Sequence, residues 1–147
     1  MDEQVTKRSL DLLIALSRAS KVTLEALYEA IDSYGVNSTE FAVLELLYHK
    51  GPQPIQRVGQ KILMQSGSLT YVVKQLEKKG YVQRERCATD RRVFYVSNTE
   101  QGDDFIRRVF PEHEKRVVEL MSALSADEQQ QLTQLLKKLG HSIQTIH

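Results

Sequence analysis

Residues 66–96 read SGSLTYVVKQLEKKGYVQRERCATDRRVFYV, and this stretch decides the fold. Its first half places apolar residues at i, i+3, i+4 and i+7 (Leu69, Val72, Val73 and Leu76), which is the spacing of one buried helix face. Ser66 suits the N-cap, and Gly80 suits the left-handed position that follows a helix. The pattern therefore predicts a helix from about Gly67 to Lys79.

The opposite face of this helix is polar and carries no carboxylate. At roughly 100° per residue, the residues opposite the apolar stripe and beside it are Gly67, Ser68, Thr70, Tyr71, Lys74, Gln75 and Lys78. Hydroxyl and amide groups read base edges in the major groove, while lysine serves guanine or phosphate. A merely solvated face would have the same composition, so the neighbouring segment has to decide between the two interpretations.

A hairpin with a basic tip is predicted after Gly80. Tyr81–Glu85 and Val93–Val96 read as two strands, and Arg86–Arg92 between them is too long for a two-residue turn and too polar for a core. Its three arginines would be ordinary exposed charges in many hairpins. A narrow minor groove nevertheless attracts arginine, so a helix followed by this hairpin indicates a winged helix that contacts two DNA grooves at once.

The charge distribution supports pairing the helix with the wing. Between Arg57 and Arg92 the chain has nine cations and three acids, a local net charge of +6. The whole chain carries only +1, so the remainder sums to −5. Such a concentrated basic segment is what nucleic-acid binding requires.

Composition limits the classes of protein that this chain can be. At 147 residues and 41% hydrophobic, it has the length of one domain with a modest core. No apolar run approaches the roughly 20 residues that span a bilayer, and Met1–Gln4 lacks the basic-then-apolar start of a signal peptide. A cytoplasmic protein with no membrane partner is expected. One cysteine excludes an intrachain disulfide and, with four histidines, a cysteine-rich zinc site.

The segments before the central stretch are predicted to be helical. Residues 5–33 form a long amphipathic segment, and Asn37 starts a second helix with Glu40 as its capping-box partner. Gly51–Pro54 breaks the chain, and a short helix follows over residues 55–63. Two short helices joined by a turn, the second with a polar N-terminal half, make a helix-turn-helix. The expected fold class is thus α+β and predominantly helical.

The last third of the chain is predicted to form long helices. Thr99 suits the cap of the first, Pro111 is expected to kink or interrupt it, and a capping box at Ser125 starts the last one. The apolar stripes of residues 5–33 and 99–147 exceed what one small subunit covers. We therefore expect these segments to pack against a second copy, as a homodimer with two recognition helices roughly 34–36 Å apart.

Four motifs follow one another in a specific order and spacing: Ser66–Thr70, Leu76–Val82, Asp90–Arg92 and Val96–Gly102. Together they resemble the MarR family of bacterial winged-helix transcription regulators, over nearly the whole chain. The resemblance implies a dimer that binds a pseudo-palindromic operator in double-stranded DNA, usually as a repressor. Release typically follows binding of a small phenolic or aromatic ligand.

In that arrangement residues 1–147 form a single domain. Residues 37–97 are the winged-helix DNA-binding region, and 5–33 and 99–147 are dimerisation helices. The resemblance puts five side chains of the predicted helix in or beside the major groove: Ser66, Ser68, Thr70, Tyr71 and Lys74. The remaining predicted DNA contacts are Gln75, Lys78, Arg84, Arg86 and Arg91, together with Arg92 in the minor groove and Asp90, which holds the shape of the wing.

The sequence suggests two further sites, a ligand crevice and a reactive cysteine. The crevice between the dimer helices and the winged region is the expected ligand site, with walls from Leu13, Leu16, Tyr28, Phe41, Leu44, Tyr48 and Phe110, although the same residues would equally fill a core. Cys87 lies on the wing among Arg84, Arg86, Arg91 and Arg92, cations that would lower its pKa and make it a thiol sensor, or it is a bystander.

Other functions have less support in the sequence. A winged helix that docks an acidic protein is an alternative from a different class, because its basic face would look the same. No nucleophile–base set, metal cluster or glycine-rich phosphate loop is readable, so neither an enzyme nor a cofactor is predicted. No His-x-x-x-His pair is present, and a metal site is not expected.

Overall fold

In the computed structural model, residues 2–62 and 66–146 are described, and residues 66, 67 and 146 are described by their backbone alone. The chain divides into two compact units, one that runs to His113 and one that starts at Glu114. The predicted α+β, predominantly helical class is confirmed. In chain order the elements are α1 (Glu3–Asp32), α2 (Ser38–Lys50), β1 (Gln53–Pro54), α3 (Ile55–Lys61), α4 (Ser66–Lys78), β2 (Val82–Arg86), β3 (Phe94–Asn98), α5 (Glu100–Met121) and α6 (Ala126–Ile146).

The first unit has one hydrophobic core beneath α4 and the sheet. The apolar stripe predicted for α4 is confirmed, since Leu69, Val72, Val73 and Leu76 are all buried. The other buried apolar residues of this core are Ile31, Val36, Phe41, Val43, Leu44, Leu47, Val58, Val82, Val96, Phe105, Ile106 and Val109. One face of α4 is thereby fixed, and the opposite face is turned to solvent.

The ends of the helices follow the predicted capping chemistry at most positions. Asn37 and Glu40 form the capping box of α2, with Glu40 N donating to Asn37 Oδ1 at 2.8 Å and Asn37 N donating to Glu40 Oε1 at 3.0 Å. Gly80 has a φ of 80° and ends α4. Ser66, which the sequence predicted as the N-cap, is the first residue of α4. Its predicted capping side chain lies outside the described part of the molecule, as do Leu63 and the turn predicted at residues 64–65.

The sheet has one strand more than the predicted hairpin. β1 pairs antiparallel with β3, with Gln53 opposite Val96, and β3 pairs with β2, which gives the order β1-β3-β2. The interpretation of Gly51–Pro54 as only a break was therefore wrong. Two residues show no strand period, and Pro54 argues against a strand except at an edge, which is where β1 lies.

The first turn of α5 is held against the end of the hairpin. Thr99 Oγ1 accepts from the Gly102 N–H at 3.1 Å and donates to the Gly80 carbonyl, so the predicted cap is confirmed. Of the kink or interruption predicted at Pro111, the interruption is excluded, because α5 continues through this residue to Met121. Proline removes one helical hydrogen bond at a cost of roughly 3 kcal/mol, and burial of Phe105 and Val109 in the preceding turns stabilises the helix by a comparable amount.

At Gly102, α5 packs closely against the backbone of Tyr81, just before β2. A Cβ on this residue would overlap the carbonyl oxygen of Tyr81. We expect Gly102→Ala to lower the free energy of unfolding by about 2 kcal/mol, because overlap with backbone outweighs the roughly 1 kcal/mol by which alanine is favoured over glycine in a helix. Urea denaturation followed by circular dichroism measures the change.

Gly140 in α6 is the matched control for this prediction. Nothing lies within 4 Å of a Cβ added there, so Gly140→Ala should raise the stability by roughly 0.5–1 kcal/mol. Equal effects of the two substitutions would contradict the close approach at Gly102.

The second unit contains the end of α5, a turn and α6. The capping box predicted at Ser125 is confirmed, with Ser125 N donating to Glu128 Oε1 at 2.8 Å and Glu128 N donating to Ser125 Oγ at 3.2 Å. Gln129 Nε2 donates to the carbonyls of Met121 and Leu124, both at 3.1 Å. These bonds fix the turn between α5 and α6.

Candidate DNA-binding interface

The polar face of α4 is presented to solvent. Tyr71 has 65% of its surface exposed, although it lies within a helix whose other face is core. Of the remaining predicted contacts on α4, Ser68, Lys74 and Lys78 are exposed, Thr70 and Gln75 are half-buried, and the side chain of Ser66 lies outside the described residues. The face thus combines hydroxyls, a phenol, an amide and two lysines on a rigid support.

The tip of the wing is a folded turn. Cys87 N donates to the Val93 carbonyl at 2.8 Å, and Val93 N donates to the Asp90 carbonyl at 3.0 Å. Within the turn, Asp90 Oδ1 accepts from both the backbone N and Nε of Arg92, each at 3.1 Å. These bonds lower the pKa of Asp90 through the side chain and then the backbone of Arg92. Asp90 therefore ties both the backbone and the side chain of Arg92 into the turn.

Arg92 is highly accessible on the wing. Its side chain is 89% exposed even though Asp90 pairs with it. An exposed pair of this kind contributes little to stability. The guanidinium is therefore positioned on the wing but remains open to a second anion.

The two arginines of β2 have other neighbours. Arg84 Nε lies 2.8 Å from Oε1 of Glu77 on α4, and its guanidinium carbon is 5.7 Å from the centre of the Phe94 ring. The guanidinium carbon of Arg86 lies 4.9 Å from the same ring centre. Arg84, which the sequence suggested as a DNA contact, is thus engaged by a carboxylate of the protein itself.

Lys79, one of the nine cations counted between Arg57 and Arg92, forms an ion pair within the protein. Its Nζ contacts both carboxylate oxygens of Glu40 at 3.0 Å and donates to the Gly35 carbonyl at 3.3 Å. Glu40 is buried, so this pair ties the end of α4 to the start of α2. The basic segment from Arg57 to Arg92 therefore includes one lysine that stabilises the fold.

Comparison with known proteins assigns the chain to a family. Residues 36–94, which span the helix-turn-helix and most of the wing, match the model of the MarR family. The chain is 45% identical to the HTH-type transcriptional regulator MhqR of Bacillus subtilis, over 97% of this chain and 99% of MhqR. The chain belongs to the MarR family. The predicted resemblance is confirmed, and this MarR protein is a winged-helix transcription regulator.

Solved structures share the fold of this MarR protein. AbsC, a MarR family transcriptional regulator from Streptomyces coelicolor, has a TM-score of 0.84 and 18% identity, over 99% of this chain and 97% of AbsC. BpsR of Bordetella bronchiseptica, whose DNA binding is regulated by 6-hydroxynicotinic acid, has a TM-score of 0.80 and 19% identity, over 88% of this chain and 98% of BpsR. At these identities the likeness concerns the fold.

A groove of about 390 Å³ lies in the first unit of the MarR chain. Its walls come from α1, α2, His113 of α5 and Ile62: Leu27, Tyr28, Ile31, Ser38, Thr39, Phe41, Ala42, Glu45, Ile62 and His113. Of the predicted ligand residues, Tyr28 and Phe41 line it. Leu44 is fully buried in the core, Leu13 is exposed, Leu16 is half-buried on α1, and Tyr48 and Phe110 pack against the core.

Cys87 is half-buried on the wing, and its pKa is lowered as the sequence suggested, but for a different reason. The largest cause is the hydrogen bond with the Thr89 side chain, whose Oγ1 lies 3.2 Å from Sγ, followed by bonds to the backbone of Thr89 and Asp90. The Asp90 charge acts in the opposite direction. The expectation that arginines cause the shift was therefore wrong.

Sequence reasoning missed several residues that organise this interface. Glu77 and Phe94 engage the wing arginines, and Glu40 engages Lys79. Asn98 Nδ2 donates to the Leu44 carbonyl and to Asp103 Oδ1, both at 3.0 Å, and so links β3 to α2 and α5. The capping box had marked Glu40, whereas no local pattern marks the other three, because their partners are distant in sequence or on another element.

None of the helices in residues 2–62 and 66–146 is long and apolar enough to cross a membrane. Within the same residues, no group of three or more histidine, cysteine, aspartate or glutamate side chains is arranged to hold a metal ion.

Proposed function

We propose that the protein is a homodimeric repressor that binds a pseudo-palindromic operator in double-stranded DNA and is released by a small aromatic ligand. One observation carries the DNA-binding part: the exposed polar face of α4 and the exposed Arg92 of the wing belong to elements that share one core. A helix in the major groove and a wing in the adjacent minor groove would use both features at once.

The proposed contacts divide by groove. On α4, which we call the recognition helix, Tyr71, Lys74 and Lys78 meet bases or phosphates, together with Ser66, Ser68, Thr70 and Gln75. On the wing, Arg92 enters the minor groove, Arg86 and Arg91 contact phosphates, and Asp90 keeps Arg92 in place. Base contacts of the recognition helix select the sequence, and the wing mainly anchors and orients the protein.

Selection from a random pool tests this proposal. A pool of duplexes randomised over about 20 base pairs, or two helical turns, is exposed to the protein, and a selected duplex is labelled for fluorescence anisotropy. We expect binding at least about 1,000-fold tighter than to a scrambled duplex, weakening steeply between about 50 and 200 mM salt. Equal binding to both duplexes would instead indicate a protein-docking module with a basic face.

Exposed apolar side chains on the long helices support the homodimer. On α1 they include Leu10, Leu12 and Leu13, and on α6 they include Leu135 and Ile143. Each helix, taken by itself, exposes more apolar side chains to solvent than a surface helix ordinarily does. A second copy of the chain covering both stripes accounts for them, and an isologous dimer suits a two-fold symmetric operator.

The groove at α1 and α2 is the proposed ligand site. Phe41 and His113, whose ring centres are 4.7 Å apart, supply aromatic walls, and Tyr28 and Thr39 supply hydroxyls. About 390 Å³ is enough for a molecule of one or two rings. The fold relative BpsR, regulated by 6-hydroxynicotinic acid, supports a hydroxylated aromatic effector.

A thiol switch at Cys87 is a second candidate, favoured by the lowered pKa of this wing residue. A lower pKa gives more thiolate at a given pH, and the thiolate is the reactive form. Modification at the wing would disturb DNA binding directly. If Cys87→Ser leaves release of DNA by oxidants or quinones unchanged, this candidate fails.

Removing the Thr89 hydroxyl tests the cause of the shift. We expect Thr89→Val to raise the pKa of Cys87, so that alkylation by iodoacetamide at pH 7 slows by about three- to tenfold and its pH midpoint moves upward. Arg86→Gln is the control, because no arginine is among the causes of the shift. A slower reaction in the control alone would assign the shift to charge.

A further inference from the structure

Four side chains connect the recognition helix to the wing. Glu77 on α4 pairs with Arg84 on β2 at 2.8 Å, and the guanidinium groups of Arg84 and Arg86 lie over Phe94 of β3, at 5.7 and 4.9 Å from the ring centre. Glu77 and Arg84 each keep 31% of their side-chain surface exposed. The pair is therefore partly shielded from solvent, unlike the exposed pair of Asp90 and Arg92.

The register of the hairpin places these contacts between the wing and α4. Side chains alternate across a strand, so Arg84 and Arg86 share a face with Val82, which is buried in the core. Opposite them, Arg86 pairs with Phe94 and Arg84 with the buried Val96. The two arginines thus continue the core-facing side of the sheet outward along the wing, where Glu77 of α4 meets Arg84.

We propose that Glu77 and Arg84 are positioning residues that fix the wing relative to the recognition helix, and that Arg84 does not contact DNA phosphate. This inference rests on the proposed function, since it concerns how one protomer fits two grooves together. A wing held by one ion pair and by two cation–π contacts presents Arg92 at a set distance from α4. Without the pair, the wing is not held in place beforehand, and ordering it when DNA binds costs free energy.

Electrostatics alone predicts the opposite effect of removing Glu77. The carboxylate lies within a basic surface, and neutralising it raises the local positive charge and frees Arg84. If Arg84 were an available phosphate contact, Glu77→Gln would tighten DNA binding and steepen its salt dependence. If the pair positions the wing, the same substitution weakens specific binding. The sign of the change therefore separates the two roles.

The experiment measures anisotropy of the full-length protein on the duplex selected from the random pool and on its scrambled version. We expect Glu77→Gln and Arg84→Gln each to weaken binding to the selected duplex by about fivefold, the upper range for a surface ion pair. Binding of Glu77→Gln to the scrambled duplex should be unchanged or tighter. The double variant should be no weaker than Arg84→Gln alone, because both substitutions break one interaction.

The salt dependence and a matched control complete the test. Arg84→Gln should keep the slope of log affinity against log salt, whereas losing a phosphate contact makes this slope less steep by about 0.9 for each protomer. Glu85→Gln removes the same charge from the opposite face of β2, beside Tyr95, and should not weaken binding to the selected duplex.

Three results would overturn the inference: tighter specific binding by Glu77→Gln, a less steep slope for Arg84→Gln, or equal weakening on both duplexes, which would mean that the pair does not act on the fit to two grooves. If the wild-type protein selects no sequence at all, the proposed function fails instead. The two failures are therefore distinguishable.

Discussion

Leu135→Glu is expected to convert the proposed dimer to a monomer and to weaken operator binding by at least about 100-fold. Leu135 is 62% exposed on α6, on the same apolar stripe as Leu132 and Leu136. A carboxylate there would be buried without a partner at the proposed dimer interface. A monomer also loses the gain from binding two linked half-sites, which is of the order of 100- to 10,000-fold.

Sedimentation velocity and anisotropy on the selected duplex measure the two effects. Gln134→Glu is the matched control, because it adds the same charge to the neighbouring exposed position of α6 without removing an apolar side chain. We expect it to remain dimeric and to bind within about threefold of the wild type. A Leu135→Glu protein that is still a dimer would exclude this part of α6 from the interface.

Arg92→Ala is expected to have the largest effect of any single change on the wing. We expect affinity for the selected duplex to fall by about 10- to 100-fold, since each Arg92 lost from a dimer removes a cation from the minor groove. The slope of log affinity against log salt should become less steep by about 0.9 for each protomer. Stability should barely change, because the side chain is 89% exposed.

Lys50→Ala is the control for Arg92→Ala. Lys50 is an exposed cation at the end of α2, outside the recognition helix and the wing. It should leave both affinity and slope close to those of the wild-type protein. If Arg92→Ala binds the selected duplex as tightly as the wild-type protein does, the wing does not reach the DNA.

Local signals in the sequence were sufficient to predict the recognition helix and the caps. The stripe from Leu69 to Leu76 depends on spacing alone, and the Asn37–Glu40 capping box depends on two residues three positions apart. The strand β1 was missed because two residues carry no periodic signal. Its existence depends on pairing with β3, more than 40 residues later in the chain.

The contrast between local signals and distant pairings also explains which parts of the DNA-binding interface could be predicted. That α4 has an exposed polar face follows from its periodicity, and the exposed arginines of the wing follow from the polar tip. The sequence could not show which cations the protein uses itself. Lys79 finds Glu40 across 39 residues, and Arg84 finds Glu77 on another element. The pKa of Cys87 was predicted in direction, yet its cause is the nearby hydroxyl of Thr89.

A hydroxyl-radical footprint of the wild-type protein on the selected duplex tests the central claim most directly. If each protomer reads DNA with a helix and a wing, protection should fall in two equivalent windows related by a two-fold axis, with the recognition helices about one turn, or roughly 10 base pairs, apart. Within each window, the positions that the wing contacts should lose protection in Arg92→Ala. A single unsymmetric window, or protection of the scrambled duplex to the same extent, would contradict the account.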